Sequence, residues 1–409
     1  MLCFRLNGCG RRVERGEDKV ERIYYFDHAA TSWPKPPEVT EAMSACMQEY
    51  AANPGRGSHR MAVKSGRVIM ETRMRLAKLF GIANPNDISF QASTTAALNT
   101  AIKGFVKSGD HVICTGVEHN SVRRPLEYVK RTRGVELTYA KTDAYGNVDL
   151  EDLKAQLKSN TRLVVCNHGS NLLGTIAPIR DIAAICHGAN SACKLLVDAA
   201  QTAGTVPIHV GEMGIDMLAF PGHKGLLGPQ GTGGLYIAPD LEVEPLLHGG
   251  TGSQSEAVDQ PTIRPDRYES GTLNTPGIAG LGAGVKFILA ETVEAIERKE
   301  REMIAKLHEG LQGIAGVQVL GPPLGKPRTG LISFLMNGID ASELAFILDQ
   351  SFRIAVRAGF HCTPLAHQTA GTLETGAVRA SIGYYTTSAD IDVFIKAIQQ
   401  IADQYQTQG

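Results

Sequence analysis

The chain carries no surplus of either charge: 41 Lys and Arg against 42 Asp and Glu leave a formal charge of −1. With no basic excess to neutralise phosphates, a general nucleic-acid binder is excluded. The local basic clusters Arg123-Arg124 and Arg131-Thr-Arg133 read as solvated surface. No apolar run approaches the roughly 18 residues needed to span a bilayer. Eight cysteines, at 3, 9, 46, 114, 166, 186, 193 and 362, form no CxxC pair. In a chain this long, such dispersal fits buried or reactive thiols in a reducing compartment and not a disulfide framework. Neither a GxxxxGK[ST] loop nor a GxGxxG fingerprint after a first strand is present, and there is no internal repeat or low-complexity segment. At the start, the apolar stretch 1–6 is too short for a secretory signal. The acidic Glu14, Glu17, Asp18 and Glu21 are out of place in a transit peptide. Residues 1–22 read as a mobile tail, and the cytoplasm as the expected location.

What is present is an ordinary globular composition, 43% hydrophobic and 20% charged over 409 residues, enough for a substantial core without staples. Short apolar runs at 87–92, 111–117, 162–168, 194–200, 216–220 and 233–238 alternate with helical patterns such as 96–106, 148–157 and 179–187. Continuous Val/Ile/Leu runs suit strands buried on both faces, so the pattern predicts an α/β unit with a largely parallel sheet. After Pro276 the character changes. Residues 278–317 follow a helical period with Ile296, Met303, Ile304, Leu307 and Leu311 on one face. A strand at 331–336 and helices at 341–348 and 390–405 complete a smaller α+β domain.

The richest segment is Ala219-Phe-Pro-Gly-His-Lys-Gly-Leu-Leu-Gly-Pro-Gln-Gly-Thr-Gly-Gly-Leu235. Lys224 leaves an apolar strand into a glycine-rich turn beside His223, and a lysine in such a partly dry place has the lowered pKa that Schiff-base chemistry needs. The plain alternative is a β-turn with a surface lysine. Upstream, the strand Leu195-Leu-Val ends in Asp198, followed by Ala-Ala-Gln201. A carboxylate there needs a cationic partner, such as a protonated pyridine nitrogen, or else caps the next helix. Ser93-Thr-Thr95 opens the 96–106 helical pattern and reads either as an anion site or as a helix cap. His119, in Glu118-His-Asn120, is placed to stack on an aromatic ring or to serve as a structural histidine.

Taken together, Asp198 with Gln201, Gly222-His223-Lys224 and Thr94-Thr95 resemble the class V aminotransferase family of pyridoxal 5'-phosphate (PLP) enzymes. Arg357-Ala-Gly-Phe-His-Cys362 resembles the Arg-x-Gly-His-His-Cys motif of its group II cysteine desulfurases, which include selenocysteine lyase-like members. Tyr25-Phe-Asp-His-Ala-Ala30 is similar to that family's opening segment. The likeness runs from about residue 24 to the end.

The resemblance implies a fold type I homodimer. A large domain over 23–280, with a mainly parallel seven-stranded sheet, would bind PLP, and a smaller α+β domain over 281–409 would carry Cys362 and Arg379. An N-terminal segment of the large domain would pack on the small one. Lys224 would hold the cofactor as a Schiff base, Asp198 would face the pyridinium, and Gln201 and Asn171 would sit near the ring hydroxyl. His119 would stack on the ring, while Thr94, Thr95 and His223 hold the phosphate together with Thr272 from the other subunit. Arg379 would clamp the substrate carboxylate, with Arg357 and Asn171 nearby, and Cys362 would accept sulfur from L-cysteine, perturbed by Arg357 or His361. Selenocysteine lyase and other class V activities use the same frame. A sulfur-acceptor protein is an implied partner; no metal is expected, because His361, Cys362 and His367 lack a fourth ligand. Two departures stand out: Gly222 occupies a position where many relatives have a phosphate-binding serine, and Ser93 replaces a frequent glycine.

Overall fold

The structure, a computed structural model, describes residues 22–55, 57–189 and 192–406. The segment expected to be a mobile tail, residues 1–22, lies outside the described residues except for Arg22. The described residues begin with β1 (Tyr24–Tyr25), α1 (Pro37–Glu49), α2 (Arg60–Phe80), β2 (Ile88–Gln91) and α3 (Thr94–Phe105). There follow β3 (His111–Thr115), α4 (Asn120–Arg133), β4 (Glu136–Ala140), α5 (Leu150–Ala155), β5 (Thr161–Asn167), α6 (Ile179–Ala189), β6 (Lys194–Asp198), β7 (Met217–Pro221) and β8 (Gly233–Ile237). The second half holds α7 (Thr275–Glu291), α8 (Val293–Gln312), β9 (Val317–Val319), β10 (Leu331–Met336), α9 (Ala341–Phe352), β11 (Ile354–Ala355), β12 (Arg357–Gly359), α10 (Pro364–Thr369), β13 (Ala377–Ser381) and α11 (Ser388–Gln406).

Seven strands form the central sheet in the order β2-β8-β7-β6-β5-β3-β4. Strands β4, β3, β5, β6 and β7 pair in parallel, and β8 alone runs against both its neighbours. Every residue of β3, β7 and β8 is buried, which is why these segments read as unbroken apolar runs. The expected mainly parallel, seven-stranded sheet is present, with its one antiparallel strand provided by Gly233–Ile237.

Sequence periodicity does not predict α4, and its composition explains why. Pro125 lies inside the helix, and the segment is dominated by arginines and lysines. An interior proline costs about 3 kcal/mol and removes a hydrogen bond. The helix forms because Val122, Leu126 and Val129 are buried on one face and His119 caps its start. The long helical pattern 278–317 is in fact two helices broken at Thr292, whose φ of 68° no helix accommodates; its hydroxyl then caps α8 by accepting from Ala295 N at 3.3 Å.

Around a four-stranded antiparallel sheet, β12-β13-β10-β9, a second core gathers Phe26, Phe334 and Phe394 with α8, α9 and α11. Strand β1 runs parallel to β11, and Asp27 bridges to Ser381. The chain's first described strand is thus stitched into the C-terminal half. Among the described residues no helix is long and apolar enough to cross a membrane.

Candidate active site

The parallel strands deliver their carboxyl ends to one edge of the sheet, the usual place for a ligand crevice in an open α/β sheet. A cleft of about 560 Å³ lies there, and it brings together Thr94, Thr95, His119, Asn171, Asp198, Gln201, His223 and Lys224. Eight residues chosen from scattered stretches of sequence therefore share one cavity.

Local structure explains each placement. Ser93 caps α3, accepting from Ala96 N at 3.2 Å, so Thr94 and Thr95 occupy the helix's first turn. His119 caps α4, its Nδ1 accepting from Ser121 N at 3.1 Å. Asp198 terminates β6, and Lys224 follows β7 in a turn closed by Gly228 N donating to Gly222 O at 2.7 Å. A Cβ on Gly222 would lie 2.0 Å from the Thr232 hydroxyl, so a serine here would require Thr232 to move. The departure noted at this position thus goes with the space that Thr232 takes.

The turn at Lys224 is tied down by residues the sequence reading does not single out. Lys35 Nζ donates to His223 O at 2.8 Å and to Ser32 Oγ at 2.7 Å, and Ser32 Oγ donates to Lys224 O at 2.9 Å. No spacing signal connects residues 32 and 35 to residue 224, some 190 positions away. Only the fold does.

Burial sets the electrostatics. Lys224 is brought down to about 8, first by desolvation and then by the nearby charge of Arg379, so a useful fraction of neutral amine exists near neutral pH. Its ammonium has no hydrogen bond or ion pair among the described residues. Desolvation likewise raises Asp198 to about 6, against the hydrogen bond it accepts from Ala200 N at 2.9 Å. Desolvation, reinforced by Lys224, lowers His119 and His223 to about 4, so both rings are neutral at pH 7.

Cys362 stands at the shoulder of this cleft and is exposed, whereas Cys46, Cys114, Cys166, Cys186 and Cys193 are buried. His361 and Cys362 both adopt left-handed backbone, with φ of 49° and 58°. Two consecutive non-glycine residues in this region cost roughly 1–2 kcal/mol each. The conformation is held from the large sheet's side: Asn171 Nδ2 donates to His361 O at 2.8 Å, Asn120 N donates to Cys362 O at 2.9 Å, and Thr363 Oγ1 donates to Glu118 O at 3.1 Å. Of the two residues expected to perturb the thiol, Arg357 contacts it, its Nη2 lying 3.6 Å from Sγ. The His361 ring points inward, with Nε2 on Ala377 O at 3.0 Å, and desolvation pushes it down to about 2, so it supplies no charge to the sulfur.

Arg379 is almost wholly buried on β13, outside the lining of the cleft. Nη2 donates to Asp27 Oδ1 and Nη1 to the Asn171 carbonyl, both at 3.0 Å, while Nε is buried without a partner. The fork is therefore oriented by two contacts and keeps a free Nε–H. Asp27 is a site residue that sequence reasoning passes over, although it lies inside the quoted opening motif. Thr272 is exposed and lies outside the cleft of its own chain.

These features test the fit of PLP. Asp198 is buried with no cation bonded to it, and a protonated ring nitrogen would supply one. Asn171 Oδ1 and His223 Nδ1 are buried in the cleft without hydrogen-bond partners, and a ligand bearing hydroxyl and phosphate groups would satisfy both. The hydroxyls of the first turn of α3 supply the anion end. The residues fit the group.

A family model described as aminotransferase class-V matches residues 24–394. A probable cysteine desulfurase from Methanothermobacter thermautotrophicus is 36% identical, with 98% of this chain and 99% of that one covered. Among solved structures, the apo form of a cysteine desulfurase from Thermococcus onnurineus NA1 is 33% identical, covers 93% of this chain and 95% of its own, and superposes with a TM-score of 0.88. The S-sulfonic acid form of the cysteine desulfurase CsdA from Escherichia coli is 25% identical at a TM-score of 0.85, over 93% of this chain and 95% of that one.

Proposed function

The chain belongs to the aminotransferase class-V family, and from that premise we propose that it is a PLP-dependent cysteine desulfurase that passes sulfur from L-cysteine to its own Cys362. The observation that carries the reading is Cys362 itself, an exposed thiol on a strained and braced loop beside the Lys224 cleft, with the Arg357 guanidinium against its sulfur.

PLP, held by Lys224, Asp198, His119, Asn171, Gln201, Thr94, Thr95 and His223, supplies when bound an electron sink that acidifies the substrate Cα–H and weakens its Cβ–S bond. Arg379 takes the substrate carboxylate through the Nε–H that the fold leaves unpaired, its orientation set by Asp27 and Asn171. Lys224, with its lowered pKa, serves as the base at Cα and afterwards as a proton donor. The Cys362 thiolate attacks the substrate sulfur, the Cβ–S bond breaks, and the sulfur stays on Cys362 as a persulfide. Protonation at Cβ releases alanine. Overall, cysteine plus an enzyme thiol becomes alanine plus an enzyme persulfide, and no outside oxidant is consumed. A reducing compartment such as the cytoplasm suits a chain whose described cysteines are all free.

The direct test is product analysis: purified protein loaded with PLP and given L-cysteine and a reducing thiol should yield alanine and sulfide in equal amounts. Pyruvate, or alanine without sulfide, would point to another class V activity.

Arg379→Lys keeps the charge and loses the planar fork. It should raise KM for cysteine by about 30-fold, the equivalent of a lost charge-assisted hydrogen bond of about 2 kcal/mol, while the visible cofactor band is retained. Unchanged KM would move the carboxylate clamp elsewhere, with Arg357 the next candidate.

The working unit in this reading is a homodimer in which Thr272 completes the phosphate site of the other subunit; its exposure and its place outside its own cleft support this. Mixing Lys224→Ala chains with Thr272→Ala chains should then restore one good site per hybrid dimer. Hybrids with no recovered activity, when both parents are impaired, would assign Thr272 to its own subunit's site.

A further inference from the structure

A second groove, of about 750 Å³, opens on the outer side of His119 and has Cys362 in its wall. It runs between α3 and α4. Thr95, Asn99 and Lys103 line one side at helical spacing, and Ser121, Arg124 and Tyr128 line the other. Its lining contains two cations, Lys103 and Arg124, and no carboxylate. Lys103 is held over the Tyr128 ring, with Nζ 4.6 Å from the centroid, and Arg124 is exposed with no hydrogen bond or ion pair among the described residues. Arg357, at the Cys362 sulfur, adds a third positive charge at the inner end.

Neither Lys103 nor Arg124 is used by the reaction described above, yet with Arg357 they flank the only exposed thiol among the described residues. From this arrangement we infer that the groove admits the molecule that removes the persulfide sulfur, and that this acceptor is a small anionic thiol. The inference rests on the desulfurase reading. The ten residues that line it are on the scale of a small-molecule site, whereas a protein partner needs on the order of 800 Å² of surface on each side. Charge complementarity then selects the sign. A thiol bearing carboxylates is drawn along Arg124 and Lys103 toward Cys362, and a cationic thiol is repelled.

The step balances without an added oxidant. The acceptor thiolate attacks the outer sulfur of the Cys362 persulfide, a new S–S bond forms on the acceptor, the old one breaks, and Cys362 leaves as a thiolate. The acceptor departs as a persulfide.

The test uses the PLP-loaded full chain and three probe thiols: 3-mercaptopropionate, 2-mercaptoethanol and cysteamine. First, alanine is measured in a single turnover with L-cysteine and no acceptor; this amount should be the same for wild type, Arg124→Glu and Arg124→Gln/Lys103→Gln. If no alanine appears in the wild type, the desulfurase reading fails before the acceptor question is reached. Second, the preformed persulfide is mixed with each thiol, and the transfer rate is expressed per thiolate. The wild type should favour the anionic thiol over the cationic one by about tenfold at low salt, and this preference should shrink as salt is added. Arg124→Glu should reverse the order and the double glutamine variant should flatten it. Equal rates for the three thiols in the wild type, or an anionic preference that survives in both variants, would overturn the inference.

Discussion

Replacing Lys224 with alanine should remove the borohydride-reducible visible band and reduce alanine formation on the order of 10⁴-fold or more, while the protein still folds. The size follows from two losses at once, the covalent tether and the base at Cα; general acid–base catalysis alone is worth about 10²–10⁴-fold. Folding is spared because Lys224 contributes little to it: its side chain is half-buried, its ammonium makes no bond among the described residues, and desolvation holds it down to about 8. Removing a poorly compensated buried charge does not destabilise a core. The turn itself is held through backbone atoms, by Lys35 and Ser32 on the carbonyls of His223 and Lys224, and these contacts survive the substitution. A reducible band that persists in Lys224→Ala would mean that another lysine carries the cofactor. Lys35, itself lowered to about 8 by burial, would be examined next.

Replacing Cys362 with alanine should cost as much for a different reason. Alanine production from cysteine should fall on the order of 10³-fold or more, as when an enzyme loses its nucleophile, with the visible band intact. Without a thiolate to accept it, the substrate sulfur must leave unaided. Selenium leaves more readily, so turnover of L-selenocysteine should suffer far less, which separates a lost acceptor from a damaged site. The position makes the change structurally mild: Cys362 is exposed, and its loop is held by Asn171, Asn120 and Thr363 through backbone carbonyls that alanine keeps. Full cysteine turnover in Cys362→Ala would remove this thiol from the reaction.

Much of the site was legible in the sequence because its residues lie at strand ends, where apolar runs stop abruptly in polar or glycine-rich turns. Asp198 and Lys224 follow from that pattern together with their chemistry, and the resemblance adds Cys362, Asn171 and Arg379. The bracing was not legible. Asp27 against Arg379, Lys35 against the Lys224 turn, and Asn120 against the Cys362 carbonyl join residues 352, 188 and 242 positions apart. Such pairs have no periodicity to reveal them. Helix α4 was hidden by Pro125 and by a run of basic residues that reads as bare surface, and so was the basic groove that it builds beside Cys362. The left-handed backbone at His361 and Cys362 was equally invisible, since neither residue type announces it.

Sulfur transfer to Cys362 is tested most directly by mass analysis of peptides. The PLP-loaded protein is exposed briefly to L-cysteine without reductant, its thiols are capped, and it is digested with trypsin. The peptide of residues 358–379, which contains Cys362 and no other cysteine, should carry one additional sulfur, in an amount matching the alanine released. The added sulfur on a peptide containing Cys114, Cys166 or Cys193, or alanine released with none on residues 358–379, would contradict the account.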